Sequence, residues 1–331
     1  FYASYIQNDR ISVRRYDPES ENWEAAITLD SITDTNDTQV ESIEMGINAN
    51  EDIFITWTQR ADDDSSPKGD GIYVTQHNRE VEWGASAWQD LALISGTNSS
   101  DSFDKLAGHN GTLQIVFDGN ADGFIIWPQK DSSGTYDILA SRYDSDSNQW
   151  QDSQLLENSD YSATWYNIFQ DDEEDIDWAA TAPTLSINKN GEVVAAFVLY
   201  KPGQSSLLYS NTFNNDLKTW SDTPTLVHDT NSQSLQIIFP KIKSDLIGNR
   251  VLTWTQVNND GPSTLPFYNY QPHGGDWDSI SHAMDYNENY RDGLLPSIVF
   301  LENGDATGTI IVSDDIGDGN ADEHINKLSF E

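Results

Sequence analysis

Five times along the chain a short apolar run ending in Gln or Tyr is followed, at a nearly constant interval, by a tryptophan. The runs end at Gln7, Gln59, Gln129, Tyr200 and Gln256, and the tryptophans are Trp23, Trp88, Trp150, Trp220 and Trp277. Subtraction gives intervals of 16, 29, 21, 20 and 21 residues, while successive run ends lie 52, 70, 71 and 56 apart. A period of this size means one supersecondary unit copied along the chain, each copy burying its apolar face against the next.

The runs at 1–7, 53–59, 124–129, 193–200 and 251–256 are rich in β-branched and aromatic residues, so each reads as a buried strand, B. A sixth copy at 309–314 ends 58 residues after Gln256 and lacks the Trp and the Gln. Asn, Asp and Gly clusters at 48–50, 118–123, 188–191, 248–249 and 303–304 supply the positive-φ residues of tight hairpins joining a strand A to B. Alternating stretches such as 10–16 and 137–143 follow as strand C, and a polar turn then leads to the Trp that opens strand D. Four antiparallel strands per copy, with no amphipathic helix, predict an all-β β-propeller of six blades. The first copy starts at B and the last stops at C, so the first and last blades are expected to be incomplete. The expected organisation is one propeller domain over 1–331, with units at 1–37, 38–110, 111–179, 180–235, 236–294 and 295–331. Because residue 1 is Phe, the chain is expected to come from a longer exported protein.

Composition bounds the partners. A net charge of −38 argues against nucleic acid, whose phosphates need a basic surface. The acids are spread through every loop, the pattern of a solubilising, salt-tolerant surface. Cysteine is absent, which excludes disulfides, thiolate metal sites and a Cys nucleophile. No apolar run is long enough to insert in a membrane. An acid-rich, Lys-poor, cysteine-free chain fits a protein exported by a bacterium or displayed on its surface.

In a propeller the B-to-C and D-to-A connections emerge together, and ligands bind there. The connection at 158–180 is the longest, and its segment 158–178 carries seven carboxylates. Trp165, Tyr166, Asp175, Asp177 and Trp178 are the candidate ligand-binding residues, because flat rings and hydroxyl acceptors are what a glycan needs. The competing reading is that they plug the channel. Asp-Gly-Asn-Ala-Asp occurs at 118–122 and at 318–322, with oxygen ligands spaced as at the start of a calcium loop. The first copy sits where a hairpin turn is expected. The second, through Asp318, Asn320 and Asp322, is the metal candidate, and calcium the candidate cofactor. Position twelve of such a loop is Gln129 or Ser329 rather than Glu. The six histidines read as loop or turn residues, and nothing calls for an organic cofactor. The periodic tryptophans read as packing between blades, leaving Trp83, Trp165 and Trp178 for recognition.

The W-x-Q strand followed by a turn and Trp resembles the repeats of secreted bacterial propellers related to sialidases. Their Asp box, S-x-D-x-G-x-x-W, is matched at Trp23, Trp150 and Trp220 only by the Trp. The resemblance implies a substrate carboxylate held by three arginines, for which Arg10, Arg60 and Arg291 fall in or beside ligand-face loops. In length and Trp density the chain also resembles six-bladed fucose-binding lectins, whose repeated Arg and Glu are missing from 72–76, 207–211 and 267–270. The expected function is an extracellular binding or adhesion module recognising a glycan or polysaccharide. The alternatives are a sialidase-like glycoside hydrolase or a polysaccharide lyase with a central pocket, and a structural or protein-partner scaffold.

Overall fold

The computed structural model describes residues 1–7, 10–29, 38–61, 71–89, 92–94, 113–130, 136–157, 183–188, 190–200, 205–232, 234–258, 263–283, 293–300, 306–314 and 322–329. Six antiparallel sheets follow one another along the chain, the blade pattern of a β-propeller. The first holds β1 (Tyr2–Gln7), β2 (Arg10–Asp17), β3 (Asn22–Trp23) and β4 (Ile27–Thr28). The second holds β5 (Thr38–Ile47), β6 (Ile53–Ala61), β7 (Gly71–His77) and β8 (Ala92–Leu93). The third holds β9 (Gln114–Phe117), β10 (Gly123–Lys130), β11 (Tyr136–Asp144), β12 (Gln149–Trp150) and β13 (Gln154–Leu155). The fourth holds β14 (Thr184–Ile187), β15 (Val193–Tyr200), β16 (Ser206–Asn214), β17 (Thr219–Trp220) and β18 (Thr225–Asp229). The fifth holds β19 (Leu235–Ser244), β20 (Arg250–Asn258), β21 (Ser263–Gln271) and β22 (His282–Ala283), and the sixth β23 (Gly293–Phe300), β24 (Ala306–Asp314) and β25 (Asp322–Ser329). The first sheet therefore lacks strand A and the sixth lacks strand D among the described residues. The chain divides into two compact units, Phe1–Gly134 with Leu139–Gln154, and Thr135–Ile138 with Leu155–Glu331.

Strand D departs from expectation. The periodic Trp makes only a two-residue ladder with strand C, Tyr16↔Trp23, Tyr143↔Trp150 and Phe213↔Trp220, and pairing resumes further on. Ring pairing across the turn explains the short ladder: Tyr16–Trp23, Tyr143–Trp150 and Phe213–Trp220 have centroids 5.6, 5.4 and 5.5 Å apart. Trp57 and Trp254 stack on their direct cross-strand partners Tyr73 and Phe267 at 6.0 and 5.9 Å. Trp57, Trp127 and Trp254 are fully buried, each in a cluster shared with the preceding sheet. The indoles are core, as their period implies. Trp83, expected to be free for recognition, instead packs against Tyr2, His77 and Trp88, with the Arg15 guanidinium 5.5 Å from its ring centre. Four histidines expected in loops or turns lie on strands: His77, His228, His282 and His324.

The A–B hairpins share one design. Asn48, Asp118, Asn188 and Asp245 each accept the N–H groups two and four residues on, at 2.8–3.0 Å. The residue between those donors has positive φ: Glu51, Ala121, Gly191 and Gly248. The side chain at the fourth position then holds the residue just past strand C, with Asp52, Asp122 and Asn249 accepting from the N–H of Arg79, Ser145 and His273. One short polar side chain satisfying several backbone donors explains why these turns need Asn or Asp. The first Asp-Gly-Asn-Ala-Asp copy is such a turn. Against the cost of burial, Ser145 and the Arg142 guanidinium hold the Asp122 carboxyl below its ordinary range, so its oxygens are already engaged.

Candidate active site

The predicted residues belong to the B-to-C and D-to-A connections at the other end of the sheets, and most lie outside the described residues: Trp165, Tyr166, Asp175, Asp177, Trp178 and Arg291, together with Asp318 and Asn320. Arg60 lies on β6, and Asp322 opens β25 paired with Asp314. Arg10 opens β2 opposite Gln7 and is exposed. The structure therefore brings none of the proposed arginine or calcium sets together among the described residues.

The same end of the third sheet carries a pair that sequence reasoning passed over. Asp137 is the second residue of β11, directly after the B-to-C connection, and Glu157 is the last described residue before the connection at 158–182. The Leu156 N–H bonds the Ile138 carbonyl at 2.9 Å, which carries Glu157 back over strand C. There its Oε1 accepts the Ile138 N–H at 3.0 Å. Glu157 is only 4% exposed, and no N–H or O–H of the described residues reaches Oε2.

Burial, with the negative Asp137 carboxylate beside it, outweighs the Ile138 N–H and pushes Glu157 up to about 8. A buried carboxylate without a donor is costly, and protonation removes that cost. Asp137 is the side-chain hydrogen-bond partner of the Glu157 carboxyl. At neutral pH Glu157 therefore holds a proton beside the Asp137 carboxylate. Glu157 keeps it out of water, and half-buried Asp137 is the member nearer solvent. Such a pair can give and recover a proton, the requirement of general acid–base chemistry.

No protein-family model matches the sequence, and no curated protein matches it. Solved structures do match in fold. An ulvan lyase from a polysaccharide lyase family is 12% identical with a TM-score of 0.54, covering 98% of this chain and 79% of that one. The polysaccharide lyase Uly1 is 10% identical with a TM-score of 0.51, covering 99% and 87%. The α-L-arabinanase of Penicillium chrysogenum, solved with arabinobiose, is 12% identical with a TM-score of 0.51, covering 86% and 80%. At such identities the likeness is one of fold. Among the described residues no helix is long and apolar enough to cross a membrane.

Proposed function

We propose that the protein is a carbohydrate-active enzyme that hydrolyses glycosidic bonds, with Asp137 and Glu157 as its acid–base pair. The observation that carries the reading is the buried Glu157 carboxyl, bonded to the Ile138 N–H and set beside Asp137 where two connections leave the sheet. In the reaction a glycosidic C–O bond breaks and the leaving oxygen takes the proton from the pair. Water adds to the sugar carbon and returns a proton to the pair, so the carboxyls end as they began. The segment after Glu157 carries Trp165, Tyr166, Asp175, Asp177 and Trp178, which supply stacking faces and hydroxyl acceptors for a sugar chain.

Shared fold with a lyase and an arabinanase supports the enzymatic reading over pure adhesion. Work outside the cell follows from a polymeric substrate, and the acidic surface suits it.

The test is a screen of purified protein on arabinan, other neutral polysaccharides, sialosides and ulvan, followed by Glu157→Gln and Asp137→Asn. Both variants should keep the fold by circular dichroism and lose about 10²–10⁴-fold in turnover. Undiminished turnover in Glu157→Gln would remove the pair from the mechanism. An unsaturated, ultraviolet-absorbing product would make the enzyme a lyase.

A further inference from the structure

Within the first compact unit, at the end of the sheets bearing the A–B and C–D turns, a cleft of about 270 Å³ opens between the second and third sheets. Phe54, Tyr143 and Trp150 form its aromatic wall, with Phe54 edge-on to both other rings. The side chains of Gln76, Asn148 and Gln149 supply polar atoms. No charged side chain lines it, in a chain of net charge −38.

The polar groups have fixed roles. The Gln76 amide nitrogen points to Asp52 Oδ2 at 3.4 Å, which leaves Oε1 facing the Tyr143 hydroxyl at 3.3 Å. That hydroxyl also reaches Asn148 Oδ1. One phenolic proton can serve only one of these two carbonyls, so one acceptor remains for a ligand.

The equivalent indole in the fifth sheet shows what a closed version looks like. Trp277 is buried and donates to Ser210 Oγ at 2.9 Å, sealing its gap. Trp150 is only half-buried, and no acceptor among the described residues takes its indole N–H. An open donor beside an aromatic wall and a spare acceptor is the complement of a sugar ring, which offers C–H bonds on its face and hydroxyls at its rim.

We propose that this cleft binds one uncharged sugar residue, with its ring against Trp150 and its hydroxyls on the Trp150 N–H, Gln76 and Gln149. The volume lies just below the roughly 300 Å³ at which small-molecule pockets usually begin, so one residue fits rather than a chain. Burying a carboxylate or sulfate here would leave it without a cation, which excludes uronates and sulfated sugars. The sugar class rests on the proposed function, but the site is separate from the acid pair and is read out by binding.

Saturation-transfer NMR with methyl glycosides of arabinose, xylose, galactose and glucose should show binding to the full chain by at least one. Methyl glucuronide should bind at least tenfold more weakly. Trp150→Phe, which keeps a ring against Tyr143, and Gln149→Ala, at an exposed position, should each weaken binding by about five- to tenfold. Because Glu157→Gln removes turnover without touching this cleft, binding measured in that background separates failure of the site from failure of the enzymatic reading. No binding by any neutral glycoside, equal binding by the glucuronide, or unchanged affinity in both variants would overturn the proposal.

Discussion

The third and fourth sheets each close their D-to-A ends with one backbone and one side-chain hydrogen bond, but with different chemistry. In the third, Leu156 N–H meets the Ile138 carbonyl, and Ile138 N–H meets a side-chain oxygen of Glu157. In the fourth, Thr230 N–H meets the Ser206 carbonyl, and Ser206 N–H meets the Thr230 hydroxyl at 3.2 Å. The hydroxyl completes the cap without cost, since it also donates to the Ser232 carbonyl at 3.1 Å. The carboxyl completes it only by giving up its charge. Structure alone therefore asks for Thr or Ser at such a position. The acid in the third sheet is what the proposed function accounts for.

Glu157→Gln keeps an oxygen for the Ile138 N–H and gives the largest expected effect. The cap on Ile138 survives and the buried acid is lost. The variant should fold with a Tm within about 4 °C of the parent, and turnover should drop about 10²–10⁴-fold. A variant that folds and still turns over would mean that Glu157 is a cap and nothing more.

The cost of the acid should also be visible in stability. The carboxyl titrates near 4.5 in the unfolded chain and at about 8 in the folded one. Between those values the folded state keeps a proton that the unfolded state releases. The contribution of Glu157 is thus intact below the lower value and is lost as pH rises to the upper one, by up to roughly 1.4 kcal/mol per pH unit. Urea unfolding of the parent and Glu157→Gln across this window should show a slope in the parent that the variant lacks. Parallel curves would show that Glu157 titrates normally and would break the contrast with Thr230.

The blade period, the strand class and the Asx turns were legible in the sequence, because each follows from local rules. β-branched runs make buried strands, and four different A–B turns place Asn or Asp where one side chain can serve several N–H groups. The split of strand D was not legible, since a two-residue ladder has no period to detect. Glu157 was hidden among 55 acids. One signal could have exposed it. Counting six residues on from Trp23, Trp88 and Trp150 gives Leu29, Ile94 and Leu156, all buried. The next residues are Asp30, Ser95 and Glu157, so an acid directly follows the core position in two of the three. Trp83 was misread for the opposite reason. It is aperiodic along the chain but lands on His77 and Trp88 in space, a proximity that no spacing rule contains.

The smallest effect tests the fourth sheet. Thr230→Val preserves shape but removes the oxygen that accepts the Ser206 N–H and donates to Ser232. Thr230 is half-buried, so water can partly replace the lost partner, and the expected cost is about 1 kcal/mol. For a chain of 331 residues that is a fall in Tm of about 2 °C, with turnover unchanged. A hydroxyl that only caps a strand should produce this result and no more. Turnover lost in Thr230→Val with the fold intact would give the fourth sheet a functional end as well, and the contrast with the third would have to be redrawn around both closures.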